Sequence, residues 1–194
     1  RCDILDVPDL GLQFDVIEAV GVLHHMREPE AGLRALLGCL KPGGIIKLGL
    51  YSRLGRQSVI RFRAQNPMRS TQLDDEAVRQ IRYTVLTAPP GDPSKSLLKF
   101  RDFYSLNGVR DLILHEQEWQ FSIAELQTLL ETNGLAFVKF TERDGIYRRL
   151  RSTFGKDANP YDLVTWRTAE SKLPDLFAGM FEFFAHRTEG QGLP

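Results

Sequence analysis

Sulfur and surplus charge are what this sequence has least of. Two cysteines, Cys2 and Cys39, stand in 194 residues. Two cannot build the disulfide framework that replaces a core in small secreted domains, and they form no CxxC pair. A reducing, cytoplasmic setting is therefore expected. Lys and Arg number 25, and so do Asp and Glu. No basic surplus is left to grip a phosphate backbone, so nucleic acid is not expected as a partner. The one local basic run, Tyr147-Arg-Arg-Leu-Arg151, reads as a solvated surface segment. No apolar run approaches the length that spans a bilayer, which excludes a membrane-spanning helix. No leader peptide is visible. The absence of an initiator methionine suggests that the natural start lies upstream.

What is present is ordinary for a water-soluble domain with a core: 42% hydrophobic and 26% charged residues. Phe14 to Val20 is apolar except for Asp15 and Glu18, which suits a strand covered on both faces. Pro29 fits a helix first turn, and Leu33, Leu36, Leu37 and Leu40 mark one helical face. Lys41-Pro-Gly-Gly44 is read as the stop of that helix, before a buried strand from Ile45 to Leu50. Together these make a βαβ unit of a parallel sheet.

A second helix and strand follow later. Ser122 and Glu125 have capping-box spacing, Phe121 and Leu126 the spacing of a hydrophobic staple, and Leu135 to Phe140 reads as a strand. Tyr51 to Gln120, roughly 70 residues, is too long for a simple connection. Its stripes Ala77, Val78, Ile81, Val85 and Leu106, Val109, Ile113 predict a helical insertion over the sheet. Asp3-Ile-Leu-Asp6 reads as a strand end. A helix is expected from Pro160 to about Ser171. Met180 to His186 fits a helix or a strand by periodicity alone.

The residues Phe14-Asp-Val-Ile17, Val22-Leu-His-His25 and Leu40-Lys-Pro-Gly-Gly44, with Phe121-Ser-x-x-Glu-Leu126 and Asn133-Gly-Leu135, resemble the fourth to sixth strand region of class I S-adenosylmethionine (SAM)-dependent methyltransferases. Asp102-Phe-Tyr-Ser105, Arg110-Asp-Leu112 and His115-Glu-Gln-Glu-Trp119 are similar to a bacterial group in which this domain follows a TPR array. The resemblance implies an α/β, Rossmann-like sheet, N-terminally truncated, with a helical insertion after the fifth strand. It implies the order 3-2-1-4-5-7-6 with the last strand antiparallel, which favours Met180 to His186 as that strand. The ligand then belongs at the carboxyl ends of the strands. The expected division is 1–52 for a partial core with strands 3–5, 53–120 for the insertion or substrate lid, and 121–194 for the end of the core. The glycine-rich cofactor loop is not in this sequence. The chain is therefore expected to be a fragment with half a cofactor site and an apolar, exposed edge at its first strand.

By the same resemblance, Asp3 and Ile4 would meet the adenine of SAM, and Ala19, Val20, Gly21 and Leu23 would line the cofactor near its methionine end. His24 and His25 are the catalytic candidates, because a histidine beside the transferring methyl can accept a proton from a hydroxyl or amine. Tyr51, Arg53, Tyr104, Arg110, His115 and Glu118 are the substrate-binding candidates. Asp111 and His115, four apart on an expected helix, could pair as orienter and base. Each residue also has a plain structural reading: turn, cap, salt bridge or core. No metal site is expected, since no other His or Cys sits at ligand spacing. The expected function is methyl transfer to a small-molecule or carrier-bound acceptor. The alternatives are a non-catalytic interaction or regulatory module of the same fold, and a nicotinamide dinucleotide enzyme.

Overall fold

The computed structural model describes residues 2–67, 73–115 and 117–188. Strand β1 (Phe14–Val20), helix α1 (Pro29–Gly38) and strand β2 (Leu40–Ser52) form the parallel βαβ unit. Pro29 opens α1, and Leu33, Leu36 and Leu37 bury its inner face. One expectation is corrected here. Lys41-Pro-Gly-Gly44 does not stop the helix but lies inside β2, in an irregularity between the pairs Phe14↔Leu40 and Val16↔Ile45. Pro42 has no N–H to give to a ladder, so the bulge releases it from pairing.

The insertion carries α2 (Gln57–Gln65), α3 (Asp75–Thr87) and α4 (Leu106–Val109), with 3-10 turns at Pro93–Lys99 and Arg101–Tyr104. Val59, Phe62, Val78, Val85, Leu97, Phe103 and Leu112 form its own buried cluster. A π-helical turn, Arg110–Leu114, follows α4. The chain then reaches the short strand β3 (Gln120–Phe121), which pairs with the end of β2. Helix α5 (Ile123–Thr132) starts with the expected capping box, both arms of the Ser122–Glu125 exchange being present. Strand β4 (Leu135–Phe140) and helix α6 (Ile146–Phe154) come next. Helix α7 (Leu163–Lys172) begins two residues beyond Tyr161, because Asp162 accepts from Val164 N–H and makes a better cap than Pro160.

Met180–Arg187 is a strand, β5, and it decides the sheet. It runs antiparallel between β2 and β4, giving the order β1-β2-β5-β4. Phe181, Phe183 and Ala185 alternate into the core with no exposed area. They meet Phe140, Trp166 and Phe177, whose rings contact edge-to-face or tilted. This larger cluster also takes in Leu33, Leu48, Leu126 and Leu150. Strand β1 has a partner on one side only, and Phe14 and Val16 stand 37% and 61% exposed. The reading of β1 as covered on both faces thus fails within the described residues, and the exposed edge is found. The strand end expected at Asp3 to Asp6 is also corrected: Ile4–Leu10 is a 3-10 helix capped by Asp3, which accepts from Leu5 N–H. Among the described residues, no helix is long and apolar enough to cross a membrane.

Trp166 has no exposed area, donates from its indole N–H to Pro160 O at 2.8 Å and contacts three aromatic rings. Trp166→Ala is expected to lower unfolding free energy by about 3–5 kcal/mol, read from the urea midpoint.

Candidate functional site

The site is built where β1 and β2 end. Gly49 lets them close: a Cβ there would meet Val20 Cγ1 at 2.7 Å and Met180 Sδ at 2.8 Å. Two residues on, Tyr51 is still in the sheet, paired with Met180 on one side and Gln120 on the other. Ser52 anchors the strand end, donating to Glu170 Oε1 at 2.8 Å and accepting from Gly55 N–H at 2.9 Å. Burial pushes the Glu170 carboxyl up.

A cavity of about 610 Å³ opens against this end of the sheet. Its floor includes Val20, Tyr51, Phe100, Phe177 and Met180. Its mouth is charged in both signs: Arg143 pairs with Glu182 at 3.2 Å and Arg149 with Asp175 at 2.8 Å, while Lys99, Arg101, Asp102 and Asp144 complete the wall. Thr141 Oγ1, also on the wall, is buried without a hydrogen-bond partner.

Behind Tyr51 lies a cluster of polar rings. The His24 ring is 3.8 Å from the Tyr51 ring at 32°, and the Arg56 guanidinium lies 3.9 Å from the Tyr51 centroid. His24 is fully buried; its Nδ1 is 3.2 Å from Gly49 O, so Nδ1 carries the proton and donates. Nε2 is buried without a partner. Burial first, then the neighbouring His25, brings the His24 pKa down to about 3. His25 stacks on His115 at 3.7 Å, and its Nδ1 lies 3.2 Å from Gln117 O; burial lowers its pKa as well. Burial raises the Tyr51 phenol to about 12.

Gln117 to Trp119 strap this loop down. Trp119 donates from its backbone to His24 O at 2.8 Å and from its indole to Met26 O at 3.1 Å. Glu118, whose side chain is 2% exposed, binds Arg56 through both carboxylate oxygens and accepts from Gln120 Nε2 at 2.8 Å.

Of the sequence candidates, Val20 and Tyr51 reach the cavity wall. The rest lie elsewhere. Asp3 is an exposed 3-10 cap, and Ile4 packs on the core. Ala19 and Leu23 are buried in the core, and Gly21 ends β1 at φ 78. Arg53 is held by Gln120 O and Glu125, and Arg110 by Leu73 O and Asp75. Tyr104 is 60% exposed and donates to Leu98 O. His115 stacks on His25, and Glu118 is taken up by arginine. The Asp111–His115 pairing does not form, because the helix ends in a π-turn at Leu114 and leaves His115 as its extended C-cap. The sequence reading missed Arg56, Lys99, Thr141, Arg143 and Arg149. Only Arg56, an arginine four residues past a strand end, carried any local signal. Among the described residues, no group of three or more His, Cys, Asp or Glu is placed to hold a metal ion.

The family described as "Methyltransferase domain" matches residues 1–48. PKMT2 of Rickettsia typhi, solved in complex with AdoHcy, superposes with a TM-score of 0.65 at 16% identity, over 98% of this chain and 38% of that one. A second structure of the same protein gives 0.62 at 14% identity, with the same coverage. This chain has the fold of a class I methyltransferase. The methyltransferase sheet order, with its antiparallel last strand, is therefore met by strands 4, 5, 7 and 6 as β1, β2, β5 and β4. An uncharacterized protein of Synechococcus sp. is 31% identical over 156 residues, 74% of this chain and 36% of that protein. The chain thus spans about a third of the length of the relatives it matches.

His24 sets a pH dependence on this methyltransferase fold. Its folded pKa lies below its unfolded value of 6.5, so the unfolded state binds the extra proton between the two values. Stability is complete above about pH 6.5 and is lost as pH falls toward 3. His24→Asn, which keeps a donor for Gly49 O, is expected to flatten that loss, seen in denaturant midpoints measured across the acid range.

Proposed function

We propose that this fold carries SAM-dependent methyl transfer to an acceptor seated in the cavity beside Tyr51, a small molecule or a group on a carrier. The observation that carries the reading is the place of that cavity: it meets the carboxyl ends of β1 and β2 at Val20 and Tyr51, where ligands of open α/β sheets bind. The fold neighbour solved with AdoHcy supports the choice of donor.

The residues present fit one end of such a donor. Gly21 sits at φ 78 with no atom within 4 Å of where a Cβ would stand, so the end of β1 is open to close approach. Val20 and Gly21 would hold the donor through their backbone. Asp3, which gives only Oδ1 to Leu5 N–H, keeps a second carboxylate oxygen for an amine. Leu23, with its side chain in the core, would contribute packing beneath the loop. When bound, SAM supplies a methyl carbon whose bond to a positively charged sulfur breaks as the acceptor's lone pair attacks in line.

The chain's own residues then orient the acceptor and exclude water, which is where most of the acceleration of such a displacement arises. The Tyr51 phenol, neutral up to about pH 12, donates a hydrogen bond to the acceptor. Phe100, Phe177 and Met180 shed water from the floor, and the paired charges at the mouth take a polar body. His25, half-buried with its pKa lowered by burial, lies edge-on to Tyr51 outside the cavity lining and in this reading helps to fix the ring. His24, behind Tyr51, positions it. The insertion serves as the lid that contributes Lys99 to Asp102.

Calorimetric titration of the full-length protein with S-adenosylhomocysteine is expected to give saturable binding. Tyr51→Phe is expected to leave that affinity within about twofold, because the phenol acts on the acceptor. Tritium transfer from labelled SAM into a cell extract should fall by about tenfold or more in the same variant, as befits loss of an oriented donor. Absence of S-adenosylhomocysteine binding would sink the enzyme reading and leave the non-catalytic module.

A further inference from the structure

Arg56 is the largest charged side chain buried in the described molecule, and no step above uses it. It is 1% exposed, yet it belongs to the wall of the acceptor cavity. Three features fix its guanidinium. Nε donates to Glu118 Oε1 at 3.0 Å, and Nη2 donates to Leu112 O at 3.0 Å and to Glu118 Oε2. Arg63 stands 3.5 Å from the same Glu118 oxygen and donates to His115 O at 2.6 Å. The guanidinium therefore has no freedom to swing into solvent. Its remaining surface lies on the Tyr51 ring at 3.9 Å, while His24 lies on Tyr51 at 3.8 Å. Among the described residues, the Tyr51 hydroxyl makes no hydrogen bond to protein. Its ring is held by rings and charge alone.

A buried ion pair is poor value as a stabiliser. Desolvating both charges costs about what their attraction returns, and an apolar pair of similar volume often serves better. Retaining one beside a ligand cavity needs another reason, and the geometry supplies it. We propose that Arg56 is a positioning residue: clamped by Glu118, it holds the Tyr51 ring between the guanidinium and His24, so that the phenol faces the acceptor. This rests on the reading of the cavity as the acceptor site. The clamp also ties the lid to the chemistry, because Glu118 arrives on the strap that covers His24 and His25.

The arrangement has an electrostatic consequence that a mere brace would lack. Arg56 favours the phenolate of Tyr51, and Glu118, Asp102 and Asp111 oppose it; His24 and His25, the other titratable groups against the ring, are kept neutral largely by burial. With Glu118 neutralised, the charge of Arg56 acts on the phenol unmasked.

The test is fluorine NMR of full-length protein grown on 3-fluorotyrosine, whose more acidic phenol titrates at a lower pH than that of tyrosine. Tyr51→Phe assigns the signal. Glu118→Gln keeps an acceptor for Arg56 Nε and is expected to lower the Tyr51 titration midpoint by about one pH unit, a modest fraction of what a unit charge at this range delivers at an effective dielectric near 20. The double variant Arg56→Met with Glu118→Gln removes both charges together and avoids a lone buried ion. Its midpoint is expected above that of Glu118→Gln, with the Tyr51 signal broadened or split as the ring loses its clamp. Identical Tyr51 midpoints and line shapes in the wild type and both variants would overturn the proposal and leave Arg56 a brace. S-adenosylhomocysteine titration of the same samples separates the two readings. A wild type that fails to bind it refutes the methyltransferase reading, while the Tyr51 signal still decides the clamp.

Discussion

The arrival of β5 between β2 and β4 is the interaction on which the rest depends. Its eight residues pair with β2 from Ile45 to Tyr51 on one side and with β4 from Leu135 to Phe140 on the other. Neither neighbour can complete its ladder without it, and unpaired buried backbone is expensive. The same strand brings Phe181, Phe183 and Ala185 to the core, and Met180 and Glu182 to the cavity wall. Core, sheet and cavity thus share one element taken from the far end of the chain. Contacts so distant in sequence are entropically costly to close, so the site is expected to form late in folding.

The site itself divides into a wall and a backing. The wall is mixed: aromatic floor, paired charges at the rim, a neutral phenol at the strand end. The backing is a set of close-packed polar rings, His24, His25, His115 and Tyr51, laced to Arg56 and Glu118. Burial keeps His24 and His25 neutral, and the buried acid is balanced by two arginines. Low dielectric strengthens each of these contacts and would penalise any one left alone. The strap from Gln117 to Trp119 therefore does more than cover the loop: it delivers Glu118, which anchors the cation behind the phenol.

Much of the fold was legible because it rests on local rules. The apolar run Phe14–Val20 as a strand, the leucine face of α1 and the capping box at Ser122 need only neighbours along the chain. The resemblance supplied the sheet order, and it resolved Met180–His186, where a short apolar run fits two periods. Errors arose where a local signal met a tertiary demand. Pro42-Gly-Gly44 reads as a helix stop, but β1 pairs past it and turns it into a bulge. Asp3-Ile4 reads as a strand end, but Asp3 finds Leu5 N–H and caps a 3-10 turn.

The sequence by itself determined β1, β2, β4, α1 and α5 and put Val20 and Tyr51 at strand ends, with the fold class and the antiparallel last strand coming from the resemblance, because periodicity, caps and strand ends are written in adjacent residues. Only the tertiary structure decided which polar side chains face the cavity. Arg53, Tyr104 and Arg110 are as polar as Lys99, Thr141 and Arg149, and nothing local separates them. The first three find partners within their own surroundings; the others come from segments far apart in the chain that meet only when β5 closes the sheet. Arg56 shows the point most sharply: beside a strand end it could have been solvated, and it is buried because Glu118, distant in sequence, is folded onto it.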